Sequence, residues 1–166
     1  LRMHEKFTPR AFCAAAAAEQ IARVAVVPTM MRALFADLPA ELVAAGRSRT
    51  LRQILIGGES LGRALAAEIS ARFPRAGLVD IYGLTETATS DFFLLPEQQA
   101  AFAGCIGHPS PHVEYRIAAA DGSAAVAGEV GELQIRTPFI MNGYLDAPEL
   151  TAAAFRDGWF RTGDMA

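Results

Sequence analysis

Three short apolar runs, at residues 24–27, 53–56 and 78–82, restrict this chain more than any other feature. Breakers close each of them: Pro28, Gly57-Gly58 and Gly83. Between the second and third runs Leu61, Leu65, Ile69 and Phe73 recur every fourth residue, which predicts a helix over 61–73. A strand, helix, strand, helix, strand order implies parallel pairing through right-handed crossovers. The runs lack apolar–polar alternation, so they predict a sheet covered on both faces.

Upstream, residues 9–23 read as an alanine-rich helix, with Thr8 as N-cap and Pro9 at the first helical position. Segments 30–36 and 39–45 read as two short helices punctuated by Asp37 and Pro39, followed by a basic loop at 47–50. Near Gly104 the pattern changes. Residues 113–117 and 132–137 alternate, Asp121-Gly122 marks a turn, and 148–155 reads as a short helix with Asp146 as a cap. Asp157-Gly158 then turns the chain into Trp159-Phe160-Arg161, whose aromatics are expected in a core. The fold class predicted is α/β: a partial parallel sheet with flanking helices over about residues 9–103, then a mostly antiparallel β-rich portion over about 104–166. The expected division is 1–103 and 104–166, both within one domain.

With 166 residues the chain can bury roughly 70% of its unfolded surface. Hydrophobic residues make up 52% and charged ones 20%, the balance of a soluble globular protein. A net charge of −3 argues against a nucleic-acid partner, and no apolar run approaches the ~18 residues of a membrane span. Cys13 and Cys105 lack metal spacing and read as free thiols of a reducing, cytoplasmic setting. His4, His108 and His112 lack it too and read as structural. The first residue is Leu1 and the only lysine is Lys6, so a piece of something longer is expected.

Chemistry concentrates at the strand ends. Tyr82-Gly83-Leu84-Thr85-Glu86-Thr87 follows the third run directly, where ligands bind in open α/β sheets. An aromatic face can stack on a base, Gly83 lets backbone approach, Thr85 can donate to a phosphate, and Glu86 offers hard oxygen to Mg²⁺. The bland alternative is a helix start capped by Thr85. Gly57-Gly58-Glu59 follows the second run and can let a flat ligand lie on bare backbone; its alternative is a tight turn with Ser60 capping the next helix. Gly58-Glu59-Ser60-Leu61-Gly62 also matches the serine-hydrolase elbow, with Asp80 or Asp91 and His108 or His112 as partners, yet no upstream oxyanion-hole glycine run accompanies it. Asp164, after Arg161-Thr162-Gly163, is either a ribose-binding acid or part of a surface turn. No P-loop lysine motif and no G-x-G-x-x-G occurs.

In order along the chain stand Gly57-Gly58-Glu59-Ser60-Leu61, Tyr82 to Thr87, Gly104-Cys105-Ile106-Gly107-His108-Pro109, Gly128-Glu129-Val130-Gly131-Glu132-Leu133, Asn142-Gly143-Tyr144-Leu145 and Asp157 to Asp164. This ordered set resembles the adenylate-forming superfamily of acyl-CoA synthetases, peptide-synthetase adenylation domains and luciferases. The resemblance implies an ATP-dependent ligase that activates a small-molecule carboxylic acid as its acyl-adenylate and then makes a thioester, commonly with coenzyme A. It implies Gly57, Gly58 and Glu59 along the adenine and the acyl pocket, Tyr82 stacked on adenine, Thr85 on the α-phosphate, Glu86 on Mg²⁺ and Asp164 on the ribose hydroxyls. Val27-Pro28 and the following helix resemble the acyl-pocket border. The family's phosphate loop with its lysine, and its C-terminal domain with the catalytic lysine, have no counterpart in these 166 residues. The chain is therefore expected to be inactive alone. An amino-acid adenylation domain and a nucleotide-binding module without chemistry stay open beside the ligase.

Overall fold

The computed structural model describes residues 6–18, 21–37, 45 and 47–166. His4 and the predicted helix at 39–45, apart from Ala45, lie outside the described residues. The chain forms two compact units. The first comprises the described residues up to Tyr82 together with Phe93–His108, and the second Gly83–Phe92 with Pro109–Ala166.

Helix α1 spans Pro9–Ala18. Its start is as predicted, because the Ala11 N–H donates to Thr8 Oγ1 at 3.3 Å. Its end comes earlier than the composition predicts, since β1 already begins at Arg23 (Arg23–Val26). Alanine favours helix locally, but β1 gains a parallel ladder against β2 (Gln53–Gly57), and tertiary pairing overrides propensity. Helix α2 (Pro28–Asp37) opens on proline, whose fixed φ suits the first helical position. Helix α3 (Arg63–Arg72) buries Leu65 and Ile69, and Leu61 and Phe73 are buried just beyond its two ends. The four predicted contacts thus hold although the helix is shorter than 61–73.

Strand β3 (Gly77–Tyr82) pairs in parallel with β2, giving the order β1-β2-β3-β4-β5 with β4 at Phe92–Leu94 and β5 at His108–Pro109. The sequence predicts no element between Thr89 and Ala103. The signal for β4 is the apolar run at 92–95 closed by Pro96, too short for periodicity to classify. A short helix, α4 (Gln99–Phe102), follows it. Burial on β2 alternates: Ile54 and Ile56 are buried while Gln53, Leu55 and Gly57 are half-buried. The face with Ile54 and Ile56 carries the core with Met31, Leu34 and Leu78. On the opposite face Leu55 is half-buried beside the buried Val79 of the next strand, so both faces are covered, one more completely than the other. A cavity of about 670 Å³ lies between α1 and β1, lined by Lys6, Phe12, Val24 and Met30 among others. Gly57, Gly58, Glu59, Tyr82, Gly83, Thr85, Glu86 and Asp164 do not line it, whereas Met30 belongs to the helix likened to the acyl-pocket border.

The second unit holds an antiparallel sheet in the order β6-β7-β9-β8. Its strands are β6 (Glu114–Ala118), β7 (Glu132–Arg136), β8 (Phe155–Arg156) and β9 (Trp159–Met165), with helix α5 (Pro148–Ala153) before β8. Arg156 pairs with Trp159 across a two-residue loop in which Asp157 and Gly158 have φ of 52° and 79°. Positive φ at both positions is the type I′ turn that matches strand twist, as the Asp-Gly pair predicts. The N-cap of α5 is Ala147 and no side chain caps it, so Asp146, with φ of 53°, turns the chain instead. Phe160 is buried, but Trp159 is half-buried, and the Arg116 and Arg136 guanidinium groups lie over its ring at 5.0 and 4.7 Å from the centroid. It serves as a cation–π platform on the sheet rather than a core residue.

Candidate functional site

In the first unit the parallel ladder sets Gly57 opposite Ile81, so the glycine loop and Tyr82 emerge side by side at the carboxyl ends of β2 and β3. The pairing is close enough that a Cβ on Gly57 would lie 2.4 Å from the Ile81 carbonyl oxygen. Gly58 then adopts φ of +83°, which glycine reaches without strain. Glu59 is tied back to α2: Thr29 Oγ1 lies 2.8 Å from both carboxylate oxygens, and Arg32 Nη1 is 3.4 Å from Oε2. Nothing local in the sequence links residues thirty apart, and only the β1–α2 turn brings Thr29 to that loop. Ser60 is exposed and does not cap α3, whose N-cap is Gly62 with φ of 71°. Among the described residues Ser60 has no hydrogen bond to a histidine.

Asp80 sits on β3 opposite Ile56, and burial lifts its carboxyl to about 6, with the Ile81 backbone hydrogen bond pulling the other way. Tyr82 is half-buried at the strand end.

The second unit holds Gly83, Thr85, Glu86 and Asp164. Thr85–Thr87 form a single 3-10 turn with Leu84 at the cap position, so Thr85 is not the cap of a longer helix. The turn is braced from inside. The Thr87 hydroxyl accepts from the Leu84 N–H at 3.3 Å and donates to the buried carboxylate of Asp91. Burial pushes the Asp91 carboxyl up, while the Thr87 hydroxyl and the Leu84 backbone pull it down. Gly83 is required here for space: a Cβ would fall 2.3 Å from the Thr89 carbonyl carbon. Thr85 is left exposed.

Glu86 is half-buried. Its carbonyl accepts from the Met141 N–H at 2.7 Å, and its Oε1 accepts from the Tyr144 phenol at 2.9 Å. The hydrogen bond to Glu86 pushes the Tyr144 phenol above its ordinary range. Among the described residues no group of three or more His, Cys, Asp or Glu side chains is placed to hold a metal. A lone carboxylate with one oxygen occupied fits Mg²⁺, which keeps several waters and takes one or two carboxylates plus substrate phosphates.

Asp164 lies within β9, not in a loop. Gln134 pairs with Arg161 and Glu132 with Met165, so Thr162, Gly163 and Asp164 oppose Leu133 alone. The extra residues form a bulge in which Thr162 Oγ1 donates to the Leu133 carbonyl at 2.7 Å and accepts from the Asp164 N–H at 3.0 Å. Bulges re-aim side chains and cluster near active sites. Asp164 is exposed there.

The profile of AMP-binding enzymes matches residues 1–145. This chain belongs to the AMP-binding enzyme family. Feruloyl-CoA synthase of an Amycolatopsis species is 35% identical over 169 residues, which cover 99% of this chain and 32% of that protein. The amide bond synthetase McbA from Marinactinospora thermotolerans matches with a TM-score of 0.84 at 32% identity, over 98% of this chain and 32% of its own. The o-succinylbenzoate coenzyme A synthetase of Bacillus subtilis, solved with ATP and magnesium ion, has a TM-score of 0.81 at 25% identity, over 98% of this chain and 32% of its own. The chain therefore spans about a third of the length of the family members it matches. The α/β class and the family likeness expected from the sequence both stand. Among the described residues no helix is long and apolar enough to cross a membrane.

Proposed function

We propose that this chain is part of an ATP-dependent acid–thiol ligase. The reaction joins a carboxylic acid to ATP: a carboxylate oxygen bonds to the α-phosphorus and pyrophosphate leaves. A thiol, that of coenzyme A, then attacks the acyl carbon and AMP departs. The reading rests on one observation, the pairing of Gly57 with Ile81, which brings a bare-backbone loop beside Tyr82 at the carboxyl ends of parallel strands. That surface suits a flat base, stacked on Tyr82 and lying along Gly57, Gly58 and Glu59. Gly83 keeps the following turn tight, Thr85 offers its hydroxyl to the α-phosphate, and Asp164 accepts from the ribose hydroxyls. Glu86 would hold Mg²⁺, which would supply charge neutralisation at the phosphates when bound. The feruloyl-CoA synthase likeness supports coenzyme A as acceptor and an organic acid as substrate. The likeness to an amide bond synthetase favours one second reading, an amine acceptor, which the mass of the product distinguishes. A cytoplasmic setting goes with the exposed free thiol of Cys105.

In the full-length protein that carries this chain, Glu86→Ala and Asp164→Ala should each depress carboxylate-dependent ATP–pyrophosphate exchange by about a hundredfold or more, the range for loss of one electrostatic contact in a transition state. Parental exchange rates in both variants would remove the site assignment.

A further inference from the structure

Glu86 is reached from a segment that the proposed chemistry does not use. Tyr144 lies fifty-eight residues away in sequence, yet its phenol donates to Glu86 Oε1 at 2.9 Å. The contact is anchored at both ends. On the Glu86 side, the Met141 N–H holds the Glu86 carbonyl at 2.7 Å. On the tyrosine side, the Tyr144 N–H donates to Thr151 Oγ1 at 2.9 Å, and that hydroxyl donates to the Ala147 carbonyl at 3.0 Å, which fixes Tyr144 to the first turn of α5. Gly143 makes this approach possible, because a Cβ there would lie 3.0 Å from the Thr151 side chain and its φ is +148°.

A carboxylate offers about four lone-pair sites on two oxygens. With Oε1 engaged, Oε2 is the oxygen that no described residue claims. A carboxylate free to turn can chelate a cation through both oxygens, as Ca²⁺ often demands, whereas Mg²⁺ requires near-octahedral geometry and tolerates little misplacement. We infer that Tyr144 is a positioning residue, which holds Glu86 so that a single oxygen meets the Mg²⁺ of the bound nucleotide. The inference rests on the assignment of Glu86 as the metal ligand. It adds a role for the Asn142-Gly143-Tyr144 motif that the residues of the adenylate site leave unexplained.

The test is nucleotide binding by the full-length protein, without turnover. The affinity for α,β-methylene-ATP is measured with saturating Mg²⁺ and again in EDTA, and the ratio gives the metal-dependent enhancement. Tyr144→Phe should reduce that enhancement about tenfold or more, the usual effect of removing a partner of a metal ligand, and leave the EDTA affinity unchanged. Combined with Glu86→Ala it should add nothing to the loss caused by Glu86→Ala alone. Thr151→Val keeps the phenol but releases its anchor and should give a smaller loss of the same kind. It serves as the test variant if the thermal melt shows that Tyr144→Phe misfolds. Parental enhancement in Tyr144→Phe together with its loss in Glu86→Ala overturns this inference alone. An equal loss with and without Mg²⁺ also overturns it, since it marks a purely structural contact. Parental enhancement in Glu86→Ala removes the metal assignment itself, and this inference with it.

Discussion

At the scale of single residues the informative groups are two acids, the half-buried Asp80 and the buried Asp91. The Asp80 carboxyl is raised by burial from 3.8 to about 6, so the folded chain binds that proton more tightly than the unfolded chain does. The stability contributed is therefore greatest below about pH 4 and declines as pH climbs to about 6, with no further change above. Asp80 is partly solvated, so the penalty is of order 1 kcal/mol rather than the full value of the shift. Asp80→Asn should match its parent in urea unfolding at pH 4 and exceed it by about 1 kcal/mol at pH 7; a gain of equal size at both pH values would contradict the assignment. Asp91 is a different case, because its carboxylate depends on a specific donor. Thr87→Val should cost about 1–3 kcal/mol by stranding that buried acceptor, while Thr87→Ser should restore most of it. Equal unfolding midpoints for the valine and serine variants would show that the hydroxyl is dispensable.

Elements are where turn chemistry and long-range pairing compete. Asp157-Gly158 forms the turn that its residues predict, because an Asp-Gly pair tolerates positive φ at both positions at little cost. Asp146, Thr85 and Ser60 are all good capping types, and none caps a helix. Capping needs the side-chain oxygen aimed along the helix axis, and at Ser60 the chain still has to turn through Gly62, at φ of 71°, before α3 begins. The bulge that carries Asp164 is equally invisible locally, since it exists only as a mismatch between β7 and β9. The β2–β3 pair offers the sharpest test at this scale. Gly57→Ala forces a methyl to within 2.4 Å of the Ile81 carbonyl oxygen, and backbone must move to relieve it. The expected cost is about 1–3 kcal/mol in chemical denaturation. Parental stability in Gly57→Ala would mean the two strand ends are not held this closely.

Taken whole, the chain brings its candidate residues into two groups, one in each compact unit, and it spans about a third of the length of related ligases. Its sole lysine, Lys6, lines the α1–β1 cavity of the first unit and is not among the candidate site residues. Transfer at phosphorus needs positive charge placed against charge that develops in the transition state. The 166-residue chain by itself should therefore give no carboxylate-dependent ATP–pyrophosphate exchange above background, even at high protein concentration. Exchange that scales with the concentration of this chain alone would refute that expectation.

Local order in the sequence determined the α/β class, the three parallel strand tips, the Asp-Gly hairpin and the family motifs, because apolar period and turn residues act over a few neighbours. Tertiary structure alone decided where α1 stops, which face of β2 carries the core, and how the acids are held. Thr29 reaches Glu59 across thirty residues and Tyr144 reaches Glu86 across fifty-eight. Such hydrogen bonds need two distant backbones in place before either side chain can choose its rotamer. Neither the spacing nor the type of those residues records the pairing.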